Sequence, residues 1–313
     1  MMSYILRRII STLGVMTMVG IFVFLLLRLS PGDPAAIIAG DTATPQMIAA
    51  IREKLGLNEP LPIQFVHWAV SILSGDFGTS IFTGGPVFQL ISQRLGPTIS
   101  LAMLTMVFSV TIGVAFGIFA AWRAGGVLDR FLWVFTAAGF SVPVFVIGYF
   151  LIYYFAIRMH WLPVQGYAPI DQGLASWFVR LILPTIALSL FYIAFIGRIT
   201  RASIIEALSE DFMRTAAAKG ASAYAMLFHH ALKNAGVPIL TVVGLSFASL
   251  IGGVVITETV FNLPGIGRLT VDAINNRDYP IIQGVLILAS GVYVLINLAV
   301  DLAYTFIDPR VRY

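Results

Sequence analysis

A chain of 313 residues that is 58% hydrophobic and 11% charged, with a mean hydropathy of +0.91, carries less than half of the ~25% charged residues usual in soluble domains and belongs in a membrane. Its apolar runs are long and continuous rather than alternating, which predicts helices and not a barrel. It has no cysteine, which excludes disulfides and thiolate-ligated metals, and its net charge of +4 without a lysine–arginine run excludes a nucleic-acid partner.

Arg7 and Arg8 precede an apolar run over 9–29. That run is longer than a signal-peptide core and has no A-x-A site, so residues 1–29 are predicted to hold a retained first span. Residues 30–97 turn polar and predict a helical insertion. Thr44 caps a helix that opens with Pro45 and is stopped by Gly56. Residues 60–73 place Phe65, Trp68, Ala69 and Ile72 on one helical face. Gly75-Asp76-Phe77-Gly78 is a turn, and Gly85-Pro86 opens a short helix to Leu95.

Residues 98–307 hold five more spans. The second, 98–122, carries Gly113 and Gly117 one turn apart, a spacing that permits close helix approach but also occurs as background glycine. The third, 131–157, is expected to kink at Pro143. The fourth, 180–199, contains Pro184; the fifth and sixth are 237–255 and 281–307, followed by a tail at 308–313. Trp161, Tyr167 and Trp177 mark an interfacial loop over 158–179. Arg7, Arg8, Arg123, Arg130, Arg198, Arg201, Arg214, Lys219, Lys233, Arg310 and Arg312 fall on one side, against Arg158, Arg180, Arg268 and Arg277 in short loops on the other. This bias predicts both termini in the cytoplasm.

The longest stretch unfit for lipid is 206–238. Ser203 is expected to cap a helix running to Lys219, with Glu206, Glu210 and Asp211 early and Arg214 and Lys219 late, as the helix dipole favours. Gly220 stops it in a left-handed cap, and Ser222 caps a second helix to Asn234. Ala216, Ala217 and Ala218 give a smooth surface beside the turn. Such an elbow between two spans either takes a push from a docked protein or lies passively on the membrane. No G-x-x-x-x-G-K-[ST] loop occurs, so the chain is not expected to bind ATP.

Arg214-Thr215-Ala216-Ala217-Ala218-Lys219-Gly220-Ala221-Ser222 resembles the coupling loop of ABC importer permeases, in the version of the peptide and nickel branch. Matching segments run the length of the chain: Leu29-Ser30-Pro31-Gly32-Asp33-Pro34, Gly75-Asp76-Phe77-Gly78, His230-Ala231-Leu232-Lys233-Asn234, Glu258-Thr259-Val260-Phe261, Pro264-Gly265-Ile266-Gly267-Arg268, Asn276-Arg277-Asp278-Tyr279-Pro280 and Asp308-Pro309-Arg310-Val311-Arg312. The glutamate that names the motif is Arg214 here. The resemblance implies an all-α polytopic membrane protein of the type I ABC importer transmembrane fold, with six transmembrane helices and a helical extracytoplasmic insertion after the first. It implies a bacterial-type inner membrane and a second, similar permease. It also implies two cytoplasmic ATPase subunits that hold ATP and Mg, and an extracytoplasmic solute-binding protein. Dipeptides or oligopeptides are the expected cargo, with glutathione and nickel or a metal chelate left open. An ion-coupled carrier would instead show inverted repeats, and no clear repeat is present.

Glu258, Asn297 and Asp301 are ionisable or polar residues in or near apolar helices and are candidates for the translocation pathway or its gate. Glu258 has a second reading as a solvated carboxylate that caps the next loop, and Asp301 as a structural partner of an arginine. Residues 262–280 read either as a plug at the pore mouth or as a surface loop. His229 and His230 are adjacent and do not make an i, i+4 metal pair, and no catalytic constellation stands out.

Overall fold

The computed structural model describes residues 2–29, 34–39, 43–54 and 56–307. The segments Ser30-Pro31-Gly32-Asp33 and 308–313, both part of the sequence resemblance, lie outside them. Among the described residues there are only helices, turns and one isolated bridge, Thr79 with Pro86. The chain divides into two compact units, one formed by Met1–Arg94 with Leu269–Val294, the other by Leu95–Arg268 with Leu295–Tyr313.

In the first unit, α1 (Met2–Leu29) packs on α4 (Leu61–Leu73) after the short helices α2 (Pro34–Ala39) and α3 (Pro45–Lys54). Phe24 meets Phe65 edge-on with ring centroids 5.3 Å apart, and Trp68 lies 5.7 Å from Phe24. Arg28 closes this aromatic seam: its guanidinium sits 3.6 Å from the Phe24 centroid and its Nε donates to Gln64 Oε1 at 2.9 Å. The predicted face of α4 is therefore the one that packs. Thr44 caps α3 as expected, accepting the Met47 N–H at 3.3 Å. Gly56 and Gly75 end α3 and α4 at φ +62° and +85°, the backbone that a left-handed cap requires.

The second unit is built on α5 (Val87–Trp122), α6 (Val127–Ser141), α7 (Val144–Leu151, continued by a π-helix over Ile152–Arg158), α8 (Leu174–Ser209), α12 (Gly236–Val260) and the last part of α14 (Tyr279–Ile307). Its core holds Leu101, Leu181, Leu188, Ile196, Leu250 and Leu263. Three of its prolines, Pro143, Pro184 and Pro97, show what decides whether a helix breaks. Pro143 breaks the chain as expected: Val142 is extended, and α6 and α7 meet at 99°. Pro184 stays inside α8, buried with Leu183. Pro97 stays inside α5, so the helix expected to end at Leu95 and the span expected to begin at Thr98 are one helix of 36 residues. A proline leaves one upstream carbonyl without its helical donor, but the flanking turns carry the helix through.

Among the described residues, three unbroken helices are long and apolar enough to cross a membrane: Val87–Trp122, Leu174–Ser209 and Tyr279–Tyr304. Two bent pairs add Val127–Ser141 with Val144–Arg158, and Ala223–Asn234 with Gly236–Leu250. With α1, whose apolar part Ile10–Leu26 is shorter, they account for the all-α polytopic architecture.

Gly113 and Gly117 press α5 against α8. A Cβ on Gly113 would stand 3.1 Å from Ile196 Cβ, and one on Gly117 would stand 2.6 Å from both the Gly197 carbonyl oxygen and Thr200 Cβ. Close helix approach is thus what this pair provides. Gly117→Ala is expected to cost about 2 kcal/mol, because backbone must move to admit the methyl group. A Tm equal to wild type in detergent would refute that.

Candidate functional site

α8 does not run on to Lys219. It ends at Ser209, and Glu210 is extended (ψ 152°) before α9 (Asp211–Ala218) begins. Ser203, expected as a cap, is instead buried inside α8, where its neighbours Ile204 and Ala207 face the same core. The sequence shows polar residues from Glu206 onward, but α8 keeps an apolar stripe through Ile204 and Ala207, and burial of that stripe carries the helix further.

Met213 fixes α9 in place. It is 1% exposed and packs in a cluster with Ile118 and Ala121 of α5, Ile204 and Ala207 of α8, and Leu227 and Ala231 beyond the turn. Arg214, Thr215, Ala217, Ala218, Lys219, Gly220 and Ser222 are exposed, and Ala216 and Ala221 are half-buried. The nine residues read from the sequence thus form one continuous surface strip. Its turn is a Schellman cap: Gly220 N–H donates to the Ala217 carbonyl at 3.0 Å and Ala221 N–H to the Ala216 carbonyl at 3.1 Å, with Gly220 at φ +82°. Ser222 Oγ then accepts the Ala225 N–H at 3.2 Å, the predicted cap.

The second arm is helical to Asn234 as expected, but in three pieces: α10 (Ala223–Ala225), a π-helix over Met226–Ala231, and α11 (Leu232–Asn234). The extra residue of the π-turn leaves Leu227 and Ala231 facing the core. On the open side Tyr224 stacks on Phe228 at 4.6 Å and remains exposed. The i, i+4 spacing of this aromatic pair can be read from the sequence, but its exposure cannot.

Glu258 is not solvated. It is fully buried at the end of α12. Thr98 Oγ1 donates to its Oε1 at 2.5 Å, and the Arg268 N–H donates to its Oε2 at 3.0 Å. Thr98 Oγ1 also accepts the Ile266 N–H at 2.8 Å. The carboxylate therefore caps the first turn of α13 (Ile266–Asn275), where the helix dipole favours negative charge. The reading as a cap holds, but in a dry setting. Gly265 lies so close that a Cβ there would overlap the Glu258 carboxylate.

Asn297 and Asp301 are half-buried, one turn apart on α14. Near them Tyr304 donates its hydroxyl to Thr241 Oγ1 of α12 at 2.8 Å, and Gly244 faces Val300. Two other buried carboxylates, Asp278 and Asp129, act as anchors that no local sequence pattern marks. Asp278, in the first unit, is 1% exposed and accepts from Ser80 Oγ at 2.5 Å and from the Ile81 and Phe82 N–H groups at 3.2 and 3.4 Å. Asp129, in the second, is held by Arg201. Among the described residues no group of three His, Cys, Asp or Glu side chains is placed to hold a metal.

Residues 113–313 match the binding-protein-dependent transport system inner membrane component, and residues 1–102 match the N-terminal component of the same systems. The chain belongs to this permease family. A probable peptide ABC transporter permease of Sinorhizobium fredii is 74% identical over 99% of both chains. A putative peptide transport system permease of Brucella abortus and a glutathione transport system permease of Salmonella typhimurium are each 41% identical over the full length of both chains. The fold is also similar to a chain of the MetNI methionine ABC transporter solved in inward-facing conformations, with a TM-score of 0.56, 16% identity, and coverage of 70% of this permease and 97% of that chain. The permease is thus an inner-membrane, multi-pass protein of type I importer architecture.

Proposed function

We propose that this chain is the pore-forming permease subunit of an ATP-driven importer of peptides, and that the strip from Arg214 to Ser222 is where a cytoplasmic ATPase subunit seats. One observation carries the docking assignment: Met213 roots α9 in the core shared by α5 and α8, while the other side of the same turn is small, exposed and rigidly capped. A push on that face reaches two long helices through one buried side chain. Peptide cargo follows from the relatives, which carry peptides or glutathione in their names; they give no support to the nickel or metal-chelate alternative, nor does a binding-protein-dependent family support an ion-coupled carrier.

In this proposal both termini and the elbow are cytoplasmic, and residues 30–97 form the extracytoplasmic insertion. A second permease completes the pathway, a solute-binding protein delivers the peptide, and two ATPase subunits hold ATP and Mg. Glu258, Asn297 and Asp301 are its polar positions on the pathway side, with Glu258 acting as a seal whose carboxylate is already engaged. The test is Gly220→Val in the assembled importer. A β-branched residue resists φ +82°, so the elbow loses its shape, and peptide uptake is expected to fall about tenfold or more, the scale of a lost coupling. Gly220→Asn, which tolerates the left-handed backbone, should keep most of it. Normal uptake and peptide-stimulated ATP turnover in Gly220→Val would overturn the assignment.

A further inference from the structure

We infer that Asp129 and Arg201 are a positioning pair that makes α6 follow α8, so that a displacement of the elbow enters the broken span formed by α6 and α7. The inference rests on the elbow being the ATPase seat.

Asp129 lies in the first turn of α6, after the tight turn at Gly125, which has φ +81°. Its Oδ2 accepts the Gly125 N–H at 2.8 Å and Arg201 Nη2 at 2.8 Å, and its Oδ1 accepts Arg201 Nε. This is a side-on fork with both carboxylate oxygens used. Side-chain exposure is 5% for Asp129 and 18% for Arg201. The guanidinium also lies 5.5 Å from the ring centroid of Trp133, one turn further along α6. Arg201 therefore touches α6 at two successive turns.

Arg201 stands on α8 two turns before the helix ends and the elbow begins. Its neighbour Thr200 is the residue that Gly117 of α5 presses against. One turn of α8 is thus clasped on both sides, by a steric lock to α5 and a charged fork to α6. A buried ion pair is weak evidence of stabilisation, since an apolar pair of similar volume often serves as well. A fork does have something an apolar contact lacks: it fixes rotation and register, because two parallel hydrogen bonds fail together when either helix slides. α6 leads directly to the 99° break at Pro143, so motion imposed at Asp129 arrives at that hinge.

The test uses the assembled importer in liposomes with a peptide substrate. Arg201→Lys keeps the charge and loses the fork. Asp129→Asn keeps an acceptor for the Gly125 N–H and loses the charge. Both are expected to assemble with ATPase subunits and to hydrolyse ATP without peptide at wild-type rates, while peptide delivered per ATP hydrolysed falls about tenfold. Asp129→Glu, which keeps both charge and oxygens, should recover part of that ratio. A wild-type ratio overturns the inference. So does uptake that falls only in proportion to the amount of assembled importer, the signature of a merely structural pair. If the Gly220→Val elbow keeps its coupling, the docking assignment fails first; if only the fork variants behave as wild type, the fork inference fails alone.

Discussion

Gly265→Ala is expected to destabilise the protein by about 3 kcal/mol, at the upper end for one added carbon, because the new methyl group would occupy the space of the Glu258 carboxylate. The carboxylate cannot swing aside cheaply. Thr98 Oγ1 and the Arg268 N–H hold its two oxygens, and the side chain is fully buried. Moving it strands buried donors, each worth about 1–3 kcal/mol when left unsatisfied. The measurement is a Tm of the purified permease for Gly265→Ala, Glu258→Ala and the double variant. Glu258→Ala alone should also destabilise, by about 2 kcal/mol, for the donors it abandons. In the double variant the methyl group finds the vacated space, so the two losses should fall short of additivity by about 1 kcal/mol or more. Strict additivity would show that Gly265 and Glu258 do not compete for one volume.

Asp278→Ala carries the second large effect. Its carboxylate gathers the Ser80 hydroxyl and the N–H groups of Ile81 and Phe82 across 198 residues of sequence. Ser80 Oγ passes the constraint on, accepting the Thr83 N–H at 2.9 Å. Without the carboxylate the loop over 79–86 keeps its own Thr79–Pro86 bridge but loses its tether to the turn before α14. The expected cost is about 3 kcal/mol, because the Ser80 hydroxyl and the backbone N–H groups lose their acceptor, at about 1–3 kcal/mol for each buried donor left unsatisfied. Limited proteolysis reads it locally: cleavage near the exposed Phe82 should rise sharply in Asp278→Ala and less in Asp278→Asn, which retains one acceptor oxygen. Unchanged cleavage in both would show that the loop holds itself.

The parts of this architecture that could be read in the sequence are those written in neighbouring residues. Thr44-Pro45, Gly56, Gly75, Gly220 and Ser222 announce helix ends because caps need a specific residue at a specific place, and each sits as expected. The nine-residue strip of the elbow follows from those caps. Where chain ends depended on burial, local reading fell short. Ser203 looks like a cap but lies buried in α8, and Pro97 looks like a boundary but lies within α5. Only tertiary packing decides those positions. The buried carboxylates were least visible of all. Asp129 meets Arg201 72 residues away, and Glu258 meets Thr98 160 residues away. No periodicity links such partners, so a carboxylate capping a helix in trans reads from sequence as one facing water.

The length of α8 has a consequence for what the elbow can feel. Its 36 residues span about 54 Å, against a hydrocarbon thickness of about 30 Å. Its charge-free stretch closes at Arg198, and the roughly 12 residues from there to Ser209 add about 18 Å of further helix that is apolar on one face through Ile204 and Ala207. Met213 of the elbow rests beside Ile204 and Ala207, about two turns past Arg198, so a load on the elbow works on α8 as on a lever arm, away from the charge-free stretch that it moves.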